Sequence, residues 1–309
     1  MRIHKSVLLG EAIEALELKA GDVVVDATLG SGGHSQEILK KIGEKGRLIA
    51  IDEDREAVED FRKLKENDLR VNLVKDNFSN LDLILADLKI NSVDAILADL
   101  GFSSDQMDNA DRGMSFQKDA PLDMRLDRDS ELTAEKIINE YSLEKIEKIL
   151  KEYGEEQFAR NIAKKICKAR EVELIKNTLQ LVKIIESAIP GKFQHGKINC
   201  ATKTFQALRI AVNSELDVLE KFVPLAIEKL VTKGRLAIIT FHSLEDRIVK
   251  NIFRENARGC ICPPDFPQCV CGRTAKIKII TRRPIVPSDL EVKENSRSRS
   301  AKLRVCERE

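Results

Sequence analysis

The stretch that most constrains the fold is residues 23–34, where a run of β-branched residues leads directly into a glycine-rich turn. Three consecutive valines indicate a buried strand, and after the turn the apolar residues Ile38, Leu39 and Ile42 recur at helical spacing. A strand, a tight glycine turn and a helix are typical of the first unit of a nucleotide-binding α/β sheet.

A second predicted strand, residues 48–51, ends at Asp52, nineteen residues after Gly33. Strand ends in sheets of this kind point into the ligand crevice, where an acid accepts hydrogen bonds from ribose hydroxyls. Glycines allow the preceding turn to bend sharply and a ligand to approach its backbone. The alternative is an α/β protein in which the glycines only permit the turn.

The spacing of the glycines favours a ligand that has a ribose and no phosphates. The dinucleotide fingerprint is Gly-x-Gly-x-x-Gly, whereas the turn here reads Gly30-x-Gly32-Gly33 and lacks the last glycine of that pattern. The chain also has no Gly-x-x-x-x-Gly-Lys-Ser/Thr phosphate-binding loop. S-adenosylmethionine is the commonest cofactor of this description, so a methyltransferase is favoured over a nicotinamide oxidoreductase. A non-catalytic RNA-binding scaffold would leave the glycines and Asp52 unexplained.

Composition limits the remaining possibilities. At 309 residues the chain exceeds the usual size of one domain, so we expect a large domain with an insertion or a second domain. No apolar run reaches the roughly 18 residues that span a bilayer, and we expect a soluble intracellular protein. With 52 basic and 51 acidic residues, contacts with nucleic acid would need local basic patches.

The fourth predicted strand, residues 93–99, ends at Asp99. The exocyclic amine of cytosine or adenine is a poor nucleophile because its lone pair is delocalised into the ring. A carboxylate that accepts its N–H localises that lone pair, so Asp99 is predicted either to face such an amine or to bind the cofactor. Phe78, just past the third strand, is predicted to flank an adenine or to be an ordinary core residue.

From about residue 109 to 200 the alternation of strands and helices stops, which predicts an inserted helical domain. One of its helices carries basic residues that indicate either an RNA contact or a solvated face: Arg160, Lys164, Lys165, Lys168 and Arg170. A helix over residues 201–219, including Arg209, and a basic tail over residues 273–309 follow. The tail is a candidate for phosphate contacts and carries two strands that would form an antiparallel hairpin.

Two local patterns toward the end of the chain concern a helix cap and a group of cysteines. Ser243 is predicted to cap a helix rather than to act as a nucleophile. Four thiols, Cys260, Cys262, Cys269 and Cys271, are a possible zinc set, but their Cys-x-Cys spacing departs from the common Cys-x-x-Cys. We assign no metal ligand and leave the question open.

Taken together, these motifs resemble those of the bacterial 16S rRNA cytosine-N4 methyltransferases of the MraW type. The resemblance runs nearly end to end. The stretches that carry it are residues 7–9, 27–35, 99–104, 112–116, 121–125, 153–156, 201–209, 241–247 and 295–300.

The resemblance implies a class I S-adenosylmethionine-dependent methyltransferase, a Rossmann-like α/β sheet over residues 1–108 and 201–309, with a helical substrate-recognition insertion over 109–200. It implies N4-methylation of a cytidine in the decoding region of 16S rRNA in the cytoplasm; another RNA or a DNA amino group is the alternative. Asp99 is the predicted catalytic residue. The predicted cofactor-binding residues are Gly32, Gly33, His34, Asp52, Phe78, Asp99 and Gln106.

Overall fold

A computed structural model of the chain describes residues 6–102, 106–107, 109–194, 199–263, 268 and 270–309. The chain divides into two compact units: unit 1 consists of residues 1–101 and 216–309, and unit 2 of residues 102–215. The inserted unit is longer at both ends than the predicted 109–200. At its C-terminal end the reason is that the helix Thr202–Asn213, expected in the α/β domain, buries its apolar side chains in the core of unit 2.

Unit 1 is built on seven strands: β1 (Val23–Asp26), β2 (Arg47–Asp52), β3 (Val71–Lys75), β4 (Val93–Asp99), β5 (Leu230–Thr240), β6 (Ile277–Ile279) and β7 (Lys302–Arg308). They form one sheet in the order β3-β2-β1-β4-β5-β7-β6. The first five strands pair in parallel, and β7 is antiparallel to both of its neighbours. The predicted class I methyltransferase sheet is confirmed.

The described helices are α1 (Leu9–Ala15), α2 (Gly33–Ile42), α3 (Arg55–Leu64), α4 (Leu81–Asp87), α5 (Ala134–Glu140), α6 (Leu143–Gly154), α7 (Ala159–Arg170), α8 (Thr178–Ala188), α9 (Thr202–Asn213), α10 (Glu215–Lys229), α11 (Ser243–Asn256) and α12 (Asp289–Glu294). In unit 1, one face of the sheet packs against α1, α2 and α3, and the other against α4, α10 and α11. Neighbouring residues of β1 explain this: Val24 faces the first layer and Val25 the second, and both are fully buried.

Unit 2 is a helical unit with a single apolar core to which α5 to α9 all contribute. The helices α6 and α9 approach closely at Gly154, where a Cβ atom would lie 2.8 Å from the carbonyl oxygen of Lys203. The side chain of Gln206 strengthens this contact by donating to the carbonyl oxygen of Tyr153 over 3.2 Å. The end of α6 therefore has no room for a side chain.

The predicted helix over residues 201–219 is two helices. It breaks at Ser214, whose φ of 50° places it in the left-handed region that ends helices. The apolar spacing continues on both sides of this residue, which is why periodicity alone did not reveal the break. None of the described helices is long and apolar enough to cross a membrane.

Candidate functional site

The glycine turn between β1 and α2 has a backbone that other residues would strain or block. Gly30 and Gly32 have φ values of 50° and 77°, in the left-handed region. A Cβ atom on Gly32 would lie 2.2 Å from the ring of Phe61, and one on Gly33 would lie 2.0 Å from Oγ of Ser6. The turn therefore needs glycine for its own packing, and the contacts of Gly32 and Gly33 with a cofactor stay a prediction.

Asp26 ends β1 and is completely buried beneath this turn. Its Oδ2 accepts a hydrogen bond from the hydroxyl of Ser35 over 2.7 Å, and its Oδ1 accepts the backbone N–H of Thr28 over 3.2 Å. Both carboxylate oxygens are thus used inside the protein. Asp26 fixes the turn to the start of α2.

Asp52 lies at the end of β2, as the sequence predicts for a residue that meets a ribose. Its Oδ2 accepts the backbone N–H of Gly30 over 2.7 Å, and its Oδ1 accepts that of Asp54 over 2.8 Å. These two bonds join the end of β2 to the glycine turn and to the start of α3. The ribose contact of Asp52 stays a prediction.

Asp99 ends β4 beside the same turn. Its backbone N–H donates to Oγ1 of Thr28 over 2.6 Å, and its Oδ2 lies 3.6 Å from Nδ1 of His34. His34 is in the first turn of α2 and is almost fully buried, whereas about a fifth of the Asp99 side chain, 21%, remains exposed. The structure thus brings His34 and Asp99 together, as expected if they line one site.

The pKa values of Asp26 and Asp99 are both raised. Burial raises the pKa of Asp26 to about 7, against the opposing effect of its hydrogen bonds with Ser35 and Thr28. Burial, reinforced by the negative charges of Asp26 and Glu245, raises the pKa of Asp99 well above its usual range. Acids whose pKa values are strongly shifted by burial are common at functional sites.

Oδ1 of Asp99 tests whether the predicted cofactor fits. This atom is buried, and no group among the described residues donates a hydrogen bond to it. A buried carboxylate oxygen without a donor is unfavourable by about 1–3 kcal/mol or more. S-adenosylmethionine carries a sulfonium and an α-ammonium group, and an incoming base carries an amine N–H. The residues present therefore fit this cofactor and its substrate.

The other two predicted cofactor residues have different surroundings. Phe78 begins a short 3₁₀ turn after β3 and packs edge-to-face against Phe222, with the ring centroids 4.8 Å apart. The residue is partly buried and packs against the core layer that contains α4 and α10. Gln106 is buried and belongs to unit 2. Roles for Phe78 and Gln106 at the cofactor stay predictions.

The capping prediction at Ser243 is wrong by one residue. Nδ1 of His242 accepts the backbone N–H of Glu245 over 3.4 Å, and Oε2 of Glu245 accepts the backbone N–H of His242 over 3.2 Å. Glu245 also accepts the N–H of Phe241 over 2.8 Å. The imidazole does what a serine hydroxyl does elsewhere, since both offer an acceptor at that reach.

Sequence reasoning missed the roles of Thr28, Ser35 and Glu245. Thr28 positions the backbone of Asp99, Ser35 holds Asp26, and Glu245 raises the pKa of Asp99. A hydroxyl residue beside an acid at a strand end is a weak signal for the first two. Nothing local marks Glu245, because its nearness to Asp99 depends on the pairing of β4 with β5.

Comparison with known proteins shows which protein family the chain belongs to. The family model described as the MraW methylase family matches residues 1–309. The chain belongs to the MraW methylase family. This confirms the family resemblance, and S-adenosylmethionine is the cofactor, as predicted.

Relatives of this MraW methylase are similar over almost their whole length. The ribosomal RNA small subunit methyltransferase H of Lachnospira eligens is 50% identical over 306 residues, covering 99% of this chain and 97% of the relative. The protein of that name from Halothermothrix orenii is 50% identical over 305 residues, 99% of this chain and 98% of the relative. The one from Clostridium botulinum strain 657 is 53% identical over 303 residues, 98% of each.

Proposed function

We propose that the protein methylates N4 of a cytidine in the decoding region of 16S rRNA, acting in the cytoplasm on the small ribosomal subunit. The relatives named above are ribosomal RNA small subunit methyltransferases, which supports the class of substrate. The observation that carries the choice of an amino group is Asp99. Its buried Oδ1 has no donor among the described residues and can accept an amine N–H.

In this proposal the cofactor lies along the carboxyl ends of β1, β2 and β4. Asp52 accepts hydrogen bonds from the ribose, and Phe78 flanks the adenine. Gly32, Gly33 and His34 form the wall beside the methionine part, and the predicted cofactor contact of Gln106 rests on the family resemblance. A positive charge of the cofactor beside Asp99 would favour the ionised carboxylate, which burial and the negative charges of Asp26 and Glu245 disfavour.

The cofactor supplies an electrophilic methyl group. Asp99 accepts one N–H of the cytosine amine at Oδ1, which localises the nitrogen lone pair toward that methyl group. Thr28 holds the backbone of Asp99, and Nδ1 of His34 lies 3.6 Å from the other carboxylate oxygen, Oδ2. Preorganised acceptors of this kind supply much of the rate enhancement in enzyme sites. The target base has to leave its stack to reach Asp99.

Contacts with the RNA backbone are assigned to two sets of exposed cations. On α7 of unit 2, Lys164, Lys165 and Lys168 face solvent, and the described residues supply no ion-pair partner for them. In the tail of unit 1, Arg282, Arg283 and Arg299 are exposed in the same way. Such residues release counterions when they meet phosphates.

Two of the basic residues singled out in the sequence have structural tasks instead. Arg209 makes a two-pronged contact with Glu215, at 2.7 and 2.8 Å, and its guanidinium lies 4.8 Å from the centroid of the Phe102 ring. Arg170 donates to the carbonyl oxygen of Ile138 over 2.6 Å. We therefore leave both out of the proposed RNA surface.

The decisive experiment is methyl transfer from labelled S-adenosylmethionine to small ribosomal subunits that lack the modification, followed by mapping of the labelled base. Label on N4 of one decoding-region cytidine is expected. Label on another RNA base or only on DNA would support the alternative, an amino methyltransferase with a different substrate. Calorimetry with NAD is expected to show no binding, which separates both from an oxidoreductase.

A further inference from the structure

The proposed function leaves one cysteine-rich segment of unit 1 without a task. It is the loop over residues 257–276, between α11 and β6. Its ends are tied together, because the backbone N–H of Lys276 donates to the carbonyl oxygen of Asn256 over 2.8 Å and Nη2 of Arg273 donates to that of Glu255 over 2.7 Å. These two hydrogen bonds close the loop at its base.

Three thiols converge inside this loop. The sulfur atoms of Cys260, Cys262 and Cys271 all lie within 4.8 Å of one another, and those of Cys260 and Cys271 are 3.8 Å apart. Sulfurs bound to a tetrahedral zinc at about 2.3 Å are separated by about 3.8 Å. A disulfide would need a separation of about 2.0 Å. The spacing therefore matches ligands of one metal ion.

Backbone amides point at the same sulfur atoms. The N–H of Ile261 donates to Sγ of Cys271 at 3.5 Å, and the N–H of Val270 donates to Sγ of Cys262 at 3.4 Å. Each amide comes from the opposite half of the loop, so the two halves are joined by crossed bonds. An N–H directed at sulfur stabilises the thiolate, which is the form that binds metals.

Two large aliphatic side chains in the described part of the loop are exposed to solvent. Ile261 and Val270, the central residues of the two Cys-x-Cys pairs, are 45% and 73% exposed. Among the described residues of the loop, these large aliphatic side chains are therefore not packed into a hydrophobic core. Small segments without a core are commonly held by a structural metal or by disulfides.

We propose that Cys260, Cys262 and Cys271 bind one structural zinc ion. Zinc fits because thiolate sets select it among the abundant divalent metals and it needs no redox partner. On binding, the thiols release their protons to solvent and each sulfur forms one bond to the metal. Cys269 is the residue that the sequence offers as the fourth ligand. It lies outside the described residues, and the proposal rests on the other three.

The test is the metal content of the full-length protein purified from zinc-replete cells without a metal-affinity tag. We expect about one zinc per chain by elemental analysis, falling several-fold in Cys260→Ser and in Cys271→Ser. Cys167→Ser is the matched control, since this free cysteine lies on α7 of unit 2. Its zinc content should equal that of the wild type.

A second measurement does not depend on the folding of variants. Wild-type protein stripped by a chelator and titrated with Co²⁺ should develop the intense absorption of tetrahedral cobalt bound by thiolates, saturating near one equivalent. Background zinc in the wild type together with a featureless cobalt titration would overturn the proposal. So would zinc that is retained in both serine variants, or thiol counts that show a disulfide instead.

Discussion

The backbone N–H of Asp99 donates to Oγ1 of Thr28 over 2.6 Å, and this bond joins the end of β4 to the turn that follows β1. It connects two strands that are neighbours in the sheet but about 70 residues apart in the chain. Because the proposed acceptor oxygen belongs to the same residue, the position of Asp99 depends on the hydroxyl of Thr28.

Thr28→Val keeps the shape of this side chain but leaves the N–H of Asp99 without its acceptor. We expect the free energy of unfolding to fall by about 1–3 kcal/mol and kcat to fall with it. Thr28→Ser keeps the hydroxyl and should retain most of the activity. Equal kcat values for Thr28→Val and wild type, measured at saturating cofactor, would show that the bond does not position Asp99.

Asp99→Asn removes the carboxylate charge while keeping the size of the side chain. If Asp99 accepts the amine N–H, kcat should fall by about 100-fold or more, as is usual when a positioned catalytic group is lost. The readouts are single-turnover rates on unmodified small subunits and the calorimetric Kd for S-adenosylmethionine. A variant that weakens cofactor binding but keeps its single-turnover rate would make Asp99 a cofactor residue only.

Asp52→Ala should weaken S-adenosylmethionine binding at least about ten-fold, which corresponds to about 1.4 kcal/mol. The substitution removes the proposed ribose acceptor and the acceptor for the N–H of Gly30. Asp54→Ala is a control at a neighbouring acid, because Asp54 is buried and caps α3 by accepting the N–H of Glu56. That variant should lose about 1 kcal/mol of stability and keep its affinity. Unchanged affinity in Asp52→Ala would move the ribose contact elsewhere.

Asp26 should make the protein less stable as the pH rises toward neutrality. Its carboxyl has an ordinary pKa of 3.8 when unfolded and about 7 in the fold, so the folded state binds the extra proton between these values. The contribution is therefore fully present below pH 3.8 and is lost as the pH rises through about 7. Within that window the slope is at most about 1.4 kcal/mol per pH unit.

Urea denaturation at several pH values within this window tests the prediction. Asp26→Asn cannot titrate and should have a shallower slope, whereas Asp60→Asn should keep the wild-type slope because Asp60 is exposed. The slope of Asp26→Asn should not vanish, since the pKa of Asp99 is also raised. Identical slopes for Asp26→Asn and wild type would contradict the raised pKa.

Replacing Lys164, Lys165 and Lys168 with glutamine should raise KM for the small subunit by about ten-fold. It should also reduce the slope of log affinity against log salt by about 0.7–0.9 for each phosphate that the variant no longer neutralises. The control removes the same charge elsewhere, at the exposed Lys40, Lys41 and Lys45. Equal KM values in the two triple variants would remove α7 from the RNA surface.

Residues 23–52 were predictable because their signals are local. The valines of β1 face the packed layers on both sides of the sheet, so they form an unbroken apolar run, and Asp52 is the last residue of its strand. The break at Ser214 and the cap at His242 were not predictable in this way. The apolar periodicity continues across Ser214 without interruption. The cap at His242 depends on an orientation of the imidazole that only the tertiary structure fixes.

The role of Arg209 was also not predictable from the sequence, because the charge of a residue does not show what it binds. A basic residue on a helix next to a nucleotide-binding pattern was expected to meet RNA, yet its guanidinium is held by Glu215 and by the ring of Phe102. Both partners stand outside α9, and neither spacing is that of a helical pair. Only the fold decides which cations remain available for a ligand.

The register of β4 and β5 has a consequence for how the protein folds. Ile96 pairs with Leu236, so the parallel pairing of β4 with β5 joins segments separated by well over a hundred residues. Long-range pairings of this kind raise contact order and slow folding, because the chain loop has to close before the contacts form. We expect the rate-limiting step to be this closure. Asp99, which ends β4, and Glu245, which lies in the first turn of α11 after β5, would meet only after it.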